Sequence, residues 1–216
     1  MPGPFQKPAS PVKSDDPVGL LSIPYKGNRR YIHGTDLFVS LEDLFAELVP
    51  GCFVSHMEIR SPARGRIRVD WAQSDIGADA FGRVVLTDPA GRELFAVLSD
   101  SAGCPDCHPY DEELLVADAK LDTSGQAALL SLPDGFSTIE GLVALTKALC
   151  TKLAPPPGKW LFVGIDLAAP LPRRCDQIEI QLIRLMRKQF SVFSILIDGA
   201  DIGSIRFAKD VTHVGD

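Results

Sequence analysis

Residues 35–100 and 137–210 carry the same order of features: a helical pattern, a turn marked by Pro or Gly, then strands closing in a hairpin. A shift of 110 residues lays Val85-Leu86-Thr87-Asp88-Pro89-Ala90-Gly91 on Ile195-Leu196-Ile197-Asp198-Gly199-Ala200-Asp201 without a gap. It also carries Phe95, Val97 and Asp100 onto Ile205, Phe207 and Asp210. A recurring unit constrains architecture more than any single motif, because repeated units bury their apolar faces against one another. The match is one of pattern rather than identity, and it reads as a duplicated α+β unit. At 216 residues the chain has room for two units of about 100 residues, each large enough for a core.

Punctuation along the chain sets the boundaries. Residues 1–24 hold prolines at 2, 4, 8, 11, 17 and 24 among Ser, Lys and Asp, too little apolar surface to order, and read as a flexible tail. The first unit runs over 25–100, a Gly/Pro/Asp-rich linker over 101–113, the second unit over 114–210 and a short tail over 211–216. Tyr25 to Ile32 reads as a strand that His33-Gly34 breaks. Thr35 or Asp36 then caps a helix whose Leu37, Phe38, Leu41, Phe45 and Leu48 fall at helical spacing, and Pro50-Gly51 ends it. Strands follow over 53–59 and 67–71, and a hairpin over 84–98 turns at Asp88-Pro89-Ala90-Gly91. Residues 114–121 and 126–132 read as another hairpin. The second helix covers 138–153 with Ile139, Leu142, Leu145 and Leu149 as its stripe, and strands follow over 160–167, 177–185, 190–197 and 203–208. A helix with one apolar face needs a sheet to cover it.

Bulk properties narrow the function classes. A net charge of −6 argues against a general nucleic-acid binder. Arg60, Arg64, Arg66 and Arg68 form a local basic cluster, suited to a phosphate or to a solvated strand edge. No apolar run approaches the roughly 20 residues of a membrane span, and Met1-Pro2-Gly3-Pro4 opens no secretory signal, so a cytoplasmic protein with no membrane partner is expected. Five cysteines in such a chain read as reduced thiols, with Cys52, Cys150 and Cys175 as small buried hydrophobes.

The segment Tyr31-Ile32-His33-Gly34-Thr35-Asp36-Leu37-Phe38, followed by Leu41-Glu42-Asp43, resembles the hotdog superfamily. In hotdog thioesterases a His-Gly-Gly leads into the central helix, and an acidic residue follows about two turns on. Here that acidic position falls on Glu42, and Thr35 replaces the second glycine. The resemblance implies a double hotdog of the α+β class: two antiparallel sheets, each wrapping a long central helix, joined side by side. It also implies an acyl thioester of CoA or acyl carrier protein as partner. Hydrolysis is the leading activity it suggests, with non-catalytic acyl binding and hydroxyacyl dehydration as alternatives, and it implies no cofactor.

Physical chemistry attaches roles to these positions. A helix N-terminus presents unpaired N–H groups and partial positive charge, suited to a thioester oxygen, and Gly34 would let a ligand approach the backbone. Glu42 lies roughly 12 Å further along the axis, where it could direct a water or attack the carbonyl, or simply occupy the helix's polar face. His33 could polarise substrate or bond a backbone group. Thr35 and Asp36 complete the helix start, and Arg60 and Arg64 are candidates for the carrier's phosphate. Aligning the helical stripes puts Thr138 and Thr146 of the second helix where the first has Gly34 and Glu42, so at most one competent site is expected. Cys104-Pro105-Asp106-Cys107-His108 reads first as a chance or labile surface pair of loop cysteines; as a zinc site it offers two thiolates and an imidazole, one ligand short of closed unless His56 or Cys52 completes it, so no metal is expected. Oligomeric state is open between monomer and homodimer.

Overall fold

The computed structural model describes residues 18–27, 29–72, 80–103, 106–110, 112–155 and 157–210. The strands are β1 (Gly19–Leu21), β2 (Tyr25–Lys26), β3 (Phe53–Ile59), β4 (Arg66–Ala72), β5 (Ala80–Thr87), β6 (Glu93–Ser101), β7 (Cys107–His108), β8 (Lys120–Asp122), β9 (Ala127–Ser131), β10 (Lys159–Leu167), β11 (Gln177–Met186), β12 (Phe190–Ile197) and β13 (Ala200–Asp210). The helices are α1 (Gly34–Leu48), α2 (Glu112–Leu115) and α3 (Thr138–Leu153).

Eleven strands form one antiparallel sheet in the order β1-β4-β6-β5-β3-β10-β13-β12-β11-β9-β8, and β2 pairs with β7 in a separate parallel ribbon. This corrects the expected pair of sheets, each wrapping its own long central helix. The join is made by main-chain hydrogen bonding, with Glu58, Met57 and His56 of β3 opposite Gly164, Ile165 and Asp166 of β10. An unpaired strand edge in either half would expose a row of donors and acceptors, and pairing β3 with β10 removes both edges. Met57 and Ile165 are fully buried at this seam. The helices are short, 15 residues in α1, 4 in α2 and 16 in α3.

The halves meet the seam differently. β3 is flanked by β5, whereas β10 is flanked by β13. Under the shift of 110 residues β5 lies over β12, so the two matching hairpins present opposite strands to the centre.

α1 and α3 lie side by side and antiparallel. Gly34 and Leu37 share one cavity with Val143 and Lys147, while Val39 and Glu42 share another with Ser137 and Ile139. The buried face of α1 is Leu37, Phe38, Leu41 and Phe45, as its spacing predicts, but Leu48 at the frayed end is exposed. α3 is buried on more of its circumference, and even Thr146 lies inside, its hydroxyl donating to Leu142 O at 2.7 Å. Two local expectations change. Only Tyr25–Lys26 of the expected 25–32 strand is extended, and residues 114–121 hold the end of α2 and the start of β8 instead of one strand. Residues 19–21 pair with β4 as β1, within the stretch read as tail; the expected features at 1–17 and 211–216 lie outside the described residues.

Candidate functional site

His33 is the N-cap of α1, with extended backbone and no side-chain cap bond. Thr35 and Asp36 are thus first-turn residues rather than caps. α3 begins differently: Ser137 and Glu140 close a reciprocal capping box, the Ser137 hydroxyl accepting from Glu140 N while Glu140 accepts from Ser137 N. One helix start is sealed by its own side chains and the other is not.

The unsealed start opens on a cavity of about 90 Å³ between the halves. Its walls are apolar: Ile32, Leu37, Ile59, Phe81, Val143, Trp160, Phe162 and Phe207 among others, with His33 and Gly34 at the helix end. Arg29, Arg60, Lys147 and Lys159 also line it, and among the described residues no carboxylate does. Arg60 and Lys159 are exposed, whereas Arg29 and Lys147 are half-buried. The position a Cβ on Gly34 would occupy lies 2.5 Å from Phe162 Cδ1, so the absent side chain makes room for that ring.

Behind His33 lies a buried polar cluster. Lys26 is 2 % exposed, and its Nζ meets Asp36 Oδ1 at 2.7 Å, Glu140 Oε1 at 2.6 Å and Thr35 Oγ1 at 3.1 Å, with the Tyr110 ring 4.4 Å away. One carboxylate comes from the first turn of each helix, so Lys26 fastens the two starts together. Thr35 Oγ1 lies 2.7 Å from His33 Nδ1. Burial, reinforced by the charges of Arg29, Lys26, Lys147 and Lys159, pushes His33 well below the ordinary histidine range. The Lys26 ammonium and the Ser137 bonds hold Glu140 below its ordinary range against the opposing effect of burial, which is the largest single influence.

Glu42 does not reach this cavity. It faces the antiparallel helix and the 170–173 loop, where pockets of about 380 Å³ and about 50 Å³ also contain Arg173 and Leu171. Burial pushes its carboxyl up to about 7, Arg173 opposing and Asp43 adding to the rise. Asp43 itself pairs with Arg173. The structure therefore brings His33, Gly34 and Arg60 to one cavity, ties Thr35 and Asp36 to Lys26 behind it, and places Glu42 elsewhere. Arg64 is not among the lining residues; its backbone bonds Tyr25 Oη and Asp100 Oδ1.

His56 is occupied on the opposite face of the sheet, where Nδ1 bonds Asp166 Oδ1 at 2.6 Å and Arg206 holds the other Asp166 oxygen at 3.2 Å. They border a shallow depression of about 470 Å³. Cys104 lies outside the described residues, Cys107 is exposed on β7, and the described residues hold no group of three metal-ligating side chains. Burial pushes the Cys150 thiol up to about 12 against the lowering effect of its hydrogen bond with Ser191, while Cys52 and Cys175 are only half-buried.

Sequence reasoning missed Lys26, Arg29, Lys147, Lys159, Trp160 and Phe162. For Lys26 one signal was present: Ser137-Thr138-Ile139-Glu140 spells a capping box, which fixes where Glu140 points. The others are joined only by the β3–β10 seam and the helix pair, which leave no trace in local pattern.

No protein-family model matches the chain, and no curated protein matches it significantly. Among solved structures it is similar to a tesB protein of Mycobacterium avium subspecies paratuberculosis, at 10% identity and TM-score 0.47 over 87% of this chain and 91% of that one. It is also similar to the dehydratase domain of PpsC from Mycobacterium tuberculosis, solved in complex with C12:1-CoA, at 10% identity and TM-score 0.44 over 83% and 85%. A bifunctional dehydratase-cyclase domain of ambruticin biosynthesis gives 15% identity and TM-score 0.44 over 83% and 82%. Likeness of this degree carries no reaction and no ligand to this chain. No described helix is long and apolar enough to cross a membrane.

Proposed function

We propose that this chain binds an acyl thioester carried on CoA or acyl carrier protein, with the acyl group in the cavity at the start of α1. The observation that carries the reading is the make-up of that cavity: apolar walls with four cations, and no carboxylate among the described residues that line it. Guanidinium and ammonium groups hold phosphate well, the former by bidentate bonds, and both carriers end in phosphate esters. An apolar wall suits an acyl chain. At about 90 Å³ the space is smaller than the roughly 150 Å³ cavity that accommodates benzene, so a short acyl group is the better fit. The thioester oxygen would meet the uncapped start of α1 and His33.

Hydrolysis is the second reading, and the observation in its favour is Glu42, a carboxyl poised at about 7. It stands at a different pocket, so it would need to act on a ligand bound along the 170–173 loop. One experiment addresses both. Trp160 emission is followed while acetyl-, butyryl- and octanoyl-CoA and the matching acyl-carrier-protein conjugates are added, and thiol release is measured in parallel. Binding of the short acyl forms, weakened by Arg60→Ala and Lys159→Ala, is expected. If no acyl thioester perturbs Trp160 the proposal is wrong. Thiol release that Glu42→Gln abolishes would replace binding by hydrolysis.

A further inference from the structure

Thr35 Oγ1 lies between two partners whose proton inventories differ. Lys26 Nζ is an ammonium, with three protons and no lone pair, so it donates to the hydroxyl oxygen at 3.1 Å. His33 Nδ1 is on the other side at 2.7 Å. The Thr35 side chain is buried, and among the described residues its hydroxyl meets no acceptor besides Nδ1. Its single proton therefore points to Nδ1. With Nδ1 protonated instead, that proton would be directed at Thr35 and the hydroxyl proton would be buried without an acceptor, among the costlier defects a fold can carry.

A neutral imidazole has one ring proton, and the bond made by one nitrogen decides which carries it. With Nδ1 accepting from Thr35, the proton sits on Nε2. His33 lines the cavity, and Nε2 is the nitrogen turned away from Thr35. We infer that Lys26 and Thr35 are positioning residues that fix His33 as the Nε2–H tautomer, so that the cavity offers a hydrogen-bond donor to a ligand oxygen rather than a base.

Two further observations fit. The carboxylates of Asp36 and Glu140, one from each helix start, anchor the ammonium that begins the relay. Burial is the main influence that keeps the ring neutral, and Arg29 and Lys26 from the N-terminal segment, Lys147 from α3 and Lys159 from β10 add to it, with the Asp36 and Glu140 carboxylates held on Lys26. A neutral imidazole that donates can polarise a carbonyl or hold an oxyanion, as an imidazolium would but without its charge. The ligand's identity rests on the acyl-thioester reading; the tautomer does not.

The test is a long-range proton–nitrogen correlation spectrum of the full-length ¹⁵N-labelled protein at pH 7, with His33 assigned among the four histidines by its loss in His33→Asn. A protonated Nε2 and a bare Nδ1 are expected. Thr35→Ser keeps that pattern. Thr35→Val moves it toward the other tautomer and weakens butyryl-CoA about tenfold, one hydrogen bond's worth, with serine restoring it. A wild-type spectrum with the proton on Nδ1, or with both nitrogens protonated, overturns the inference, and it decides alone if Thr35→Val does not fold. The expected tautomer with no response at His33 to acyl-CoA or acyl carrier protein leaves the inference standing and removes the acyl-thioester reading.

Discussion

Replacing Gly34 by alanine separates two explanations for that glycine, room for a ligand and room for Phe162. The new Cβ would lie 2.5 Å from Phe162 Cδ1, 3.2 Å from Cε1 and 3.4 Å from Ile59 Cδ1. Carbon atoms pack at about 3.5–4.0 Å, so the ring must retreat by about 1 Å or more. It cannot do so freely, because it packs on Phe207 with ring centroids 5.9 Å apart, and Phe207 is fully buried. Overpacking of this kind costs about 1–3 kcal/mol. Alanine returns at most about 1 kcal/mol of helix propensity, and less at the first helical position. The net expectation is a loss of about 1–2 kcal/mol, read in urea as a lower midpoint with an unchanged slope.

The decisive arm is the double variant. In a Phe162→Ala background there is no ring to displace, and Gly34→Ala should then be neutral or slightly stabilising. That makes the coupling between the two sites at least about 1 kcal/mol. If Gly34→Ala is as stable as the wild type, or if the two substitutions simply add, the steric argument is refuted. Gly34 would then owe its place to the ligand.

Two further outcomes follow from charges and caps. A carboxyl raised to about 7 in the fold, above its unfolded value, stabilises fully below the unfolded value and loses that contribution as pH rises toward 7, so Glu42→Gln should gain stability over the wild type between about pH 4.5 and 7 and hold the gain above. Discounted for partial solvent exposure, the gain is about 1–2 kcal/mol, and parallel urea midpoints at pH 5 and pH 8 would refute it. Ser137→Ala removes one side of the α3 capping box and should cost about 1 kcal/mol, with Ser137→Asp retaining most of it; a loss confined to the alanine variant in thermal unfolding checks it.

What the sequence made legible was local. α3 begins and ends at its predicted bounds and α1 ends close to its own but begins two to three residues early, because Leu37, Leu41 and Phe45 and then Leu142, Leu145 and Leu149 repeat at helical spacing before a proline stop. The 84–98 hairpin was equally clear, since Asp88 draws the Ala90 and Arg92 amides onto its carboxylate. The sheet's continuity was not legible. Residues 53–59 and 160–167 read as ordinary strands, and nothing in either records that Met57 and Ile165 face each other 108 positions apart. The site is divided the same way. His33 and Gly34 were found because they border a helix start, and Arg60 because it belongs to a local run of arginines. Lys26 looked like part of a strand, and its two carboxylates lie 10 and 114 residues away.

The helix that carries both candidate catalytic residues disfavours their charged forms, and it does so by different routes. Burial lowers His33 and four cations add to the effect, whereas burial raises Glu42 against the pull of Arg173. Near neutrality the imidazole is bare of a second proton and the carboxyl is close to half-protonated. A base must be able to take a proton from its target, and His33 sits among charges that repel the product of that transfer. Glu42 could take one, but two turns away and at another pocket. The charge that remains fixed at the cavity is cationic, and it lies on side chains that hold anions rather than transfer protons. Under the proposal of an acyl-thioester ligand, an apolar pocket with a neutral imidazole and a cationic border would suit retention of the carrier better than its turnover, and on that ground binding is proposed ahead of hydrolysis.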